Sequence, residues 1–197
     1  MAMWISAQLR CTFRETEGSE IVEFAVSLPL LIVLVVAIYD FGAAFTVKHM
    51  LSNTVREGAR IASSQHHPPN PTATNGPCNA PASICTVSNV IGRSLQASIG
   101  DDCGLSTASA AYSATDTWTF SGSCSGSSLK IERAFINPNA ITLSNPFDSS
   151  DAYKIENTRI TLIYPYQWQF SKIFEFFGSA NYLSSTMTVS STMQNLD

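Results

Sequence analysis

The sequence is short of charge. Asp, Glu, Lys and Arg make up 13% of its 197 residues, against about a quarter in an ordinary soluble domain. Net charge is −4 with no basic run, so the electrostatic footprint of a nucleic-acid-binding protein is missing. Histidine occurs only three times. There is no His-Glu-x-x-His, no Gly-x-Ser-x-Gly, no P-loop, and no Cys–His arrangement free of a competing disulfide. An enzymatic reading therefore has little to stand on, and the expectation is a non-catalytic chain without cofactor or metal. His66 and His67 sit side by side in a Pro-rich stretch with no third ligand, and read as a solvated loop pair. Asp101 and Asp102 lack the further oxygen donors of a calcium loop and read as a solvated turn.

Cysteine is scarce but unevenly placed. Cys11 precedes the main apolar segment, and Cys78, Cys85, Cys103 and Cys124 follow it. Their spacings of 7, 18 and 21 residues contain no Cys-x-x-Cys pair, which argues against a zinc site. Four cysteines in a loop-rich stretch suit two disulfides in an oxidising compartment. Sequence order favours Cys78–Cys85 with Cys103–Cys124, although three connectivities exist.

What the chain has in abundance is one apolar run. From Phe24 to Tyr39 no side chain carries a charge, and the run continues to Val47 with Asp40 as its one interruption. About 24 apolar residues make roughly 36 Å of helix, enough to cross a hydrocarbon core of about 30 Å. Pro29 is expected to bend this helix. Arg10 and Arg14 lie before it and favour a cytoplasmic N-terminus, which puts the four later cysteines outside the cytoplasm. A cleavable secretory signal is the competing reading, since Val35-Val36-Ala37 has a small-residue ending. Glu20 and Glu23, and the helical pattern beyond the run, argue against it.

That pattern continues past the bilayer. Val47, Leu51, Val55, Gly58 and Ala62 form an apolar stripe, opposite a polar face of Lys48, Ser52, Arg56 and Arg60. One helix from about Ser19 to Ser64, roughly 69 Å long, ends at the His66–Pro71 segment. Its outer half must lay its small residues on something, either its own C-terminal domain or neighbouring helices. Residues 65–127 are rich in Ser, Thr, Pro, Asn and Gly, broken by a predicted helix from Val87 to Ile99 and a strand at Trp118–Phe120. Strand texture takes over from residue 128: Leu129 to Phe135, Arg159 to Tyr166, and Tyr182 to Met193. Trp168 to Phe177 carries aromatics at helical spacing and is read as the helix that covers the sheet, in preference to an interfacial membrane patch.

Glu23 stands at the edge of the apolar run, five residues after Gly18. Gly18, then Ser19, then Glu23 and Phe24 against a long apolar helix resembles the cleavage site of type IV prepilins, in the Flp and tight-adherence branch. The blocks G-S-E-I-V-E-F-A-V-S-L-P-L-L, D-F-G (Asp40 to Gly42) and V-R-E-G-A-R (Val55 to Arg60, with Arg56, Glu57, Gly58 and Ala59) are similar to the TadE-type minor pseudopilins. So are the C-terminal I-T-L-I-Y-P-Y and S-S-T-M-T-V-S-S-T-M. Val55 departs from the usual Ala, and residues 65–150 lie outside the resemblance.

The resemblance implies cleavage between Gly18 and Ser19 by a prepilin peptidase. Glu23 would then neutralise its own or a neighbour's Ser19 amine during assembly. Gly42, Ala43, Ala44, Gly58, Ala59 and Ala62 offer small surfaces for close helix approach. The implied partners are the lipid bilayer, other pilin and pseudopilin subunits, the peptidase and the pilus assembly platform.

The expected fold is α+β. A leader (1–18) precedes a transmembrane helix (19–47) and its extension (48–64). A Cys-rich loop region (65–127) leads to a small antiparallel sheet (128–197). The expected function is a minor pilin in the inner membrane with its C-terminal domain outside the cytoplasm. The alternative is a signal-anchored extracytoplasmic binding module or adhesin unrelated to pili, which would keep its leader.

Overall fold

The computed structural model describes residues 15–74, 76–113, 115–135, 143–145, 148–153, 156–168 and 184–195. The chain divides into two units, residues 1–41 and 42–197. The elements in order are α1 (Glu15–Ser63), α2 (Ala82–Ser98), β1 (Ala110–Ser113), β2 (Thr117–Ser121), β3 (Ser128–Phe135), β4 (Leu143–Asn145), β5 (Asp148–Tyr153), β6 (Glu156–Gln167) and β7 (Ser184–Gln194). The fold is α+β. Five strands form one antiparallel sheet in the order β1-β2-β3-β6-β7, and β4 and β5 pair separately.

The sheet's period-2 pattern sets its inner face. Trp118 and Phe120 of β2, Leu129 and Ile131 of β3, and Ile160 and Leu162 of β6 are fully buried. Register explains why: Trp118 lies beside Ile131, which lies beside Ile160, and Phe120, Leu129 and Leu162 form the next row. Two helical stripes cover that face. Leu51, Val55, Ala59 and Ala62 come from α1, and Ile84, Val87, Ile91 and Leu95 from α2, all in one cluster with the sheet residues. Each fully buried Leu or Ile contributes about 1.5–3 kcal/mol of transfer free energy. The stripe of α1 is thus laid on its own C-terminal domain.

Four features were not anticipated from sequence. First, α2 starts five residues earlier than the predicted Val87, at Ala82 just after Pro81, so Cys85 belongs to a helix rather than to a loop. Second, the strand expected at Trp118–Phe120 is present as β2, but it belongs to the main sheet together with an unforeseen β1, so the sheet begins before residue 128. Ala-Ala-Tyr-Ser at β1 is too short and too mixed to read as a strand alone. Third, α1 and α2 cover the inner face, the role expected of Trp168–Phe177. Residues 169–177 lie outside the described residues. Fourth, α1 is already helical at Glu15, ahead of Ser19.

Both expected disulfides are present. Cys78–Cys85 ties the preceding loop to the first turn of α2, and Cys103–Cys124 joins the turn before β1 to the β2–β3 hairpin. Asp101 and Asp102 do more than sit in solvent. Asp101 accepts the Cys103 N–H, and Asp102 accepts the N–H groups of Gly104 and Ser106 together with the Ser106 hydroxyl. The Ser106 hydroxyl above all, with help from the backbone donors, holds the Asp102 carboxyl below the usual carboxylate range against the opposing effect of burial. The turn presents its Asp101 carbonyl to the Tyr164 hydroxyl at 3.1 Å. Burial, reinforced by the two aspartates, pushes the Tyr164 phenol up.

Candidate functional site

The most unusual surface of the molecule is the apolar part of α1. Its most apolar 18-residue window has no buried residue. Ile21, Val22, Phe24, Val26, Leu30, Ile38, Tyr39, Phe41 and Phe45 are each more than half exposed. A contiguous apolar surface on this scale marks a membrane or partner contact, and the helix is long and apolar enough to span a bilayer. Helical geometry satisfies its backbone internally, the condition for entering lipid. Ser27 Oγ donates to the Phe24 carbonyl and Thr46 Oγ1 to the Gly42 carbonyl, so both hydroxyls are matched along the helix itself. Asp40, the acidic interruption, is 2% exposed.

At the start of the helix, Gly18, Glu20 and Glu23 are exposed. Because residues 19–23 are helical, Ser19 and Glu23 stand at i and i+4, one turn apart on one face. Among the described residues, a Cβ added to Gly18 would meet nothing within 4 Å. The fold therefore has no steric need for glycine here, and in a helix glycine is less favourable than Ala by about 1 kcal/mol.

The six small residues named for helix packing fall into two groups. Gly42 is exposed, with open space where a Cβ would be, and Ala43 is half-buried. Ala44, Gly58, Ala59 and Ala62 are buried. At Gly58 a Cβ would lie 2.6 Å from Ile91 Cδ1 and Cγ1 and 3.4 Å from Ile160 Cδ1. Gly58 is thus the point where α1, α2 and β6 converge. The Arg-Glu-Gly-Ala-Arg motif divides by periodicity: Gly58 and Ala59 face the core, while Arg56, Glu57 and Arg60 are exposed. Of the six, only Gly42 and Ala43 keep exposed surface.

The C-terminal end of α1 is held by residues that sequence reading missed. Arg133, on the inner face of β3, is 2% exposed. Its guanidinium donates to the Ala62 carbonyl, to the Gln65 carbonyl at 2.8 Å and to the His66 carbonyl at 2.9 Å. A cation at this end also complements the helix dipole. Ser63 and Ser64 hydroxyls bond the Arg60 and Ile61 carbonyls, so the last turn is well satisfied. His67 is no solvated loop residue. It is half-buried, with Nδ1 2.8 Å from Glu156 Oε1 and Nε2 3.9 Å from Asp116 Oδ2. The one available signal was Arg133 itself, a charge on the apolar phase of an alternating strand.

Asp101, Cys103 and Cys124 bring potential metal-ligand atoms within 4.8 Å of one another. The two sulfurs are bonded to each other, and a disulfide offers no thiolate to a metal.

Residues 18–60 match the family model described as TadE-like protein. The match covers the apolar helix and the Arg-Glu-Gly-Ala-Arg motif, less than a quarter of the chain. No curated protein and no solved structure matches the chain.

Proposed function

We propose that this chain is a membrane-anchored, non-catalytic minor pilin that takes part in assembling a tight-adherence pilus. The observation that carries the proposal is a coincidence of position. The TadE-like match falls on the same residues as a helix whose most apolar window is wholly unburied.

In this reading α1 is held in the inner membrane with its start in the cytoplasm and residues 65–197 outside it. A prepilin peptidase cuts between Gly18 and Ser19. The absence of any fold requirement for glycine at 18 supports a requirement imposed by a processing enzyme. Cleavage leaves an α-ammonium on Ser19, one helical turn from the Glu23 carboxylate. In lipid neither charge is tolerable alone, so pairing within the chain or with a neighbouring subunit rewards docking in one register. Gly42 and Ala43 then admit a neighbouring pilin or pseudopilin helix on the assembly platform.

Glu23→Ala tests the pairing. The variant is expected to be made and inserted as usual. Its recovery with sheared pili should drop by at least about tenfold, because a buried unpaired charge costs more than the ~1.4 kcal/mol that a factor of ten represents. Normal incorporation of the variant would overturn the pairing.

A further inference from the structure

The sheet ends on one side in β7, an edge unlike most. It pairs with β6 over eleven consecutive positions, Asn157↔Gln194 to Gln167↔Ser184, without a register shift. Among the described residues its other side pairs with no strand. Long straight edges invite pairing with another chain, and natural sheets usually block them with charges, prolines or bulges. Residues 184–194, Ser-Ser-Thr-Met-Thr-Val-Ser-Ser-Thr-Met-Gln, contain no charged residue and no proline.

We infer that β7 is an association edge, and that its occupant is β7 of a second copy of this chain, paired antiparallel about a two-fold axis. Three observations select this occupant. The opposite edge, β1, has four residues, so head-to-tail β1–β7 pairing would leave most of β7 unused, whereas β7–β7 pairing can engage its length. The faces also match. Met187, Val189, Ser191 and Met193 are half-buried on the inner side, and Thr186, Thr188, Ser190, Thr192 and Gln194 are exposed. An antiparallel self-pair that keeps like faces together places Ser and Thr opposite Ser and Thr outside, a favourable cross-strand combination. Lastly, an antiparallel two-fold lays the strand against its own reversed sequence, so each residue faces another residue of β7. A charged strand would oppose itself there, and β7 has no charge to repel.

The inference concerns the C-terminal domain and stands apart from the reading of α1. It is tested on the full-length protein in detergent micelles. Thr186→Cys, Thr188→Cys, Ser190→Cys and Thr192→Cys are made singly in a Cys11→Ser background, with Thr72→Cys as an exposed control outside the sheet. Under mild oxidation, the outward position nearest the two-fold should form disulfide-linked dimer at least tenfold faster than the control. A second variant, Thr188→Lys with Ser190→Lys, should abolish the dimer seen by light scattering and leave the thermal transition in place. Cross-linking no faster than the control at all four positions would overturn the inference. So would a dimer that survives the double lysine variant, which would assign association to another surface.

Discussion

At the scale of single residues, Arg133 decides how α1 is joined to the sheet. Its guanidinium occupies the carbonyl end of the helix, where Ala62 would otherwise present a buried acceptor and Gln65 and His66 part-buried ones. Arg133→Met keeps much of the side-chain volume and removes every donor. The variant should lose about 2–4 kcal/mol of stability, the sum of several charged hydrogen bonds and the desolvation of the carbonyls left behind. Chemical denaturation checks the value, and a loss under about 0.5 kcal/mol would mean that water replaces the guanidinium. Little of this was legible in sequence. Leu129, Ile131 and Arg133 share one phase of β3, but alternation alone cannot say whether an arginine in that phase is buried. Its partners lie about 70 positions earlier, and contacts of that separation leave no local pattern. His67 escaped for the same reason, since Glu156 is 89 positions away.

At the scale of elements, α1 is two helices in one. Its apolar half has the composition of a bilayer span. The half that follows has the small-residue stripe of a helix packed tightly on a domain, with Gly58 at the tightest point. Gly58→Val adds atoms where a single Cβ already approaches Ile91 to 2.6 Å. It should destabilise the C-terminal domain by about 2 kcal/mol through overpacking. Pairing it with Ile91→Ala should recover part of the loss, measured as non-additivity in a double-mutant cycle. Strict additivity would place the strain elsewhere. This helix was legible because a 3.6-residue period persists through Val47, Leu51, Val55, Gly58 and Ala62, and Pro68, Pro69 and Pro71 follow its end. The main strands were legible from alternation in β3 and β6. β1 was not, since Ala110–Ser113 owes its pairing to β2 rather than to its own propensity. The start of α2 was obscured by the cysteines, which drew Ala82–Thr86 into a loop reading although Pro81 stands just before a helical first turn.

At the scale of the whole molecule, an exposed apolar helix leads into a domain fastened by two disulfides. In the chain-entropy account the longer loop matters more. Cys103–Cys124 spans 21 residues and Cys78–Cys85 spans 7, so removing the first should cost about 1 kcal/mol more than removing the second. Thermal unfolding of the paired Cys→Ser variants checks the order, and a reversed order would show that local contacts around α2 outweigh loop closure. The two disulfides also agree with a domain held outside the cytoplasm, as an anchored minor pilin requires. The most direct test is the N-terminal sequence and intact unreduced mass of the protein from native membranes. The account predicts a chain beginning at Ser19, lighter by residues 1–18 and by two hydrogens for each of the two disulfides. A chain still beginning at Met1, or one beginning after Ala37 or Ala44, would contradict it.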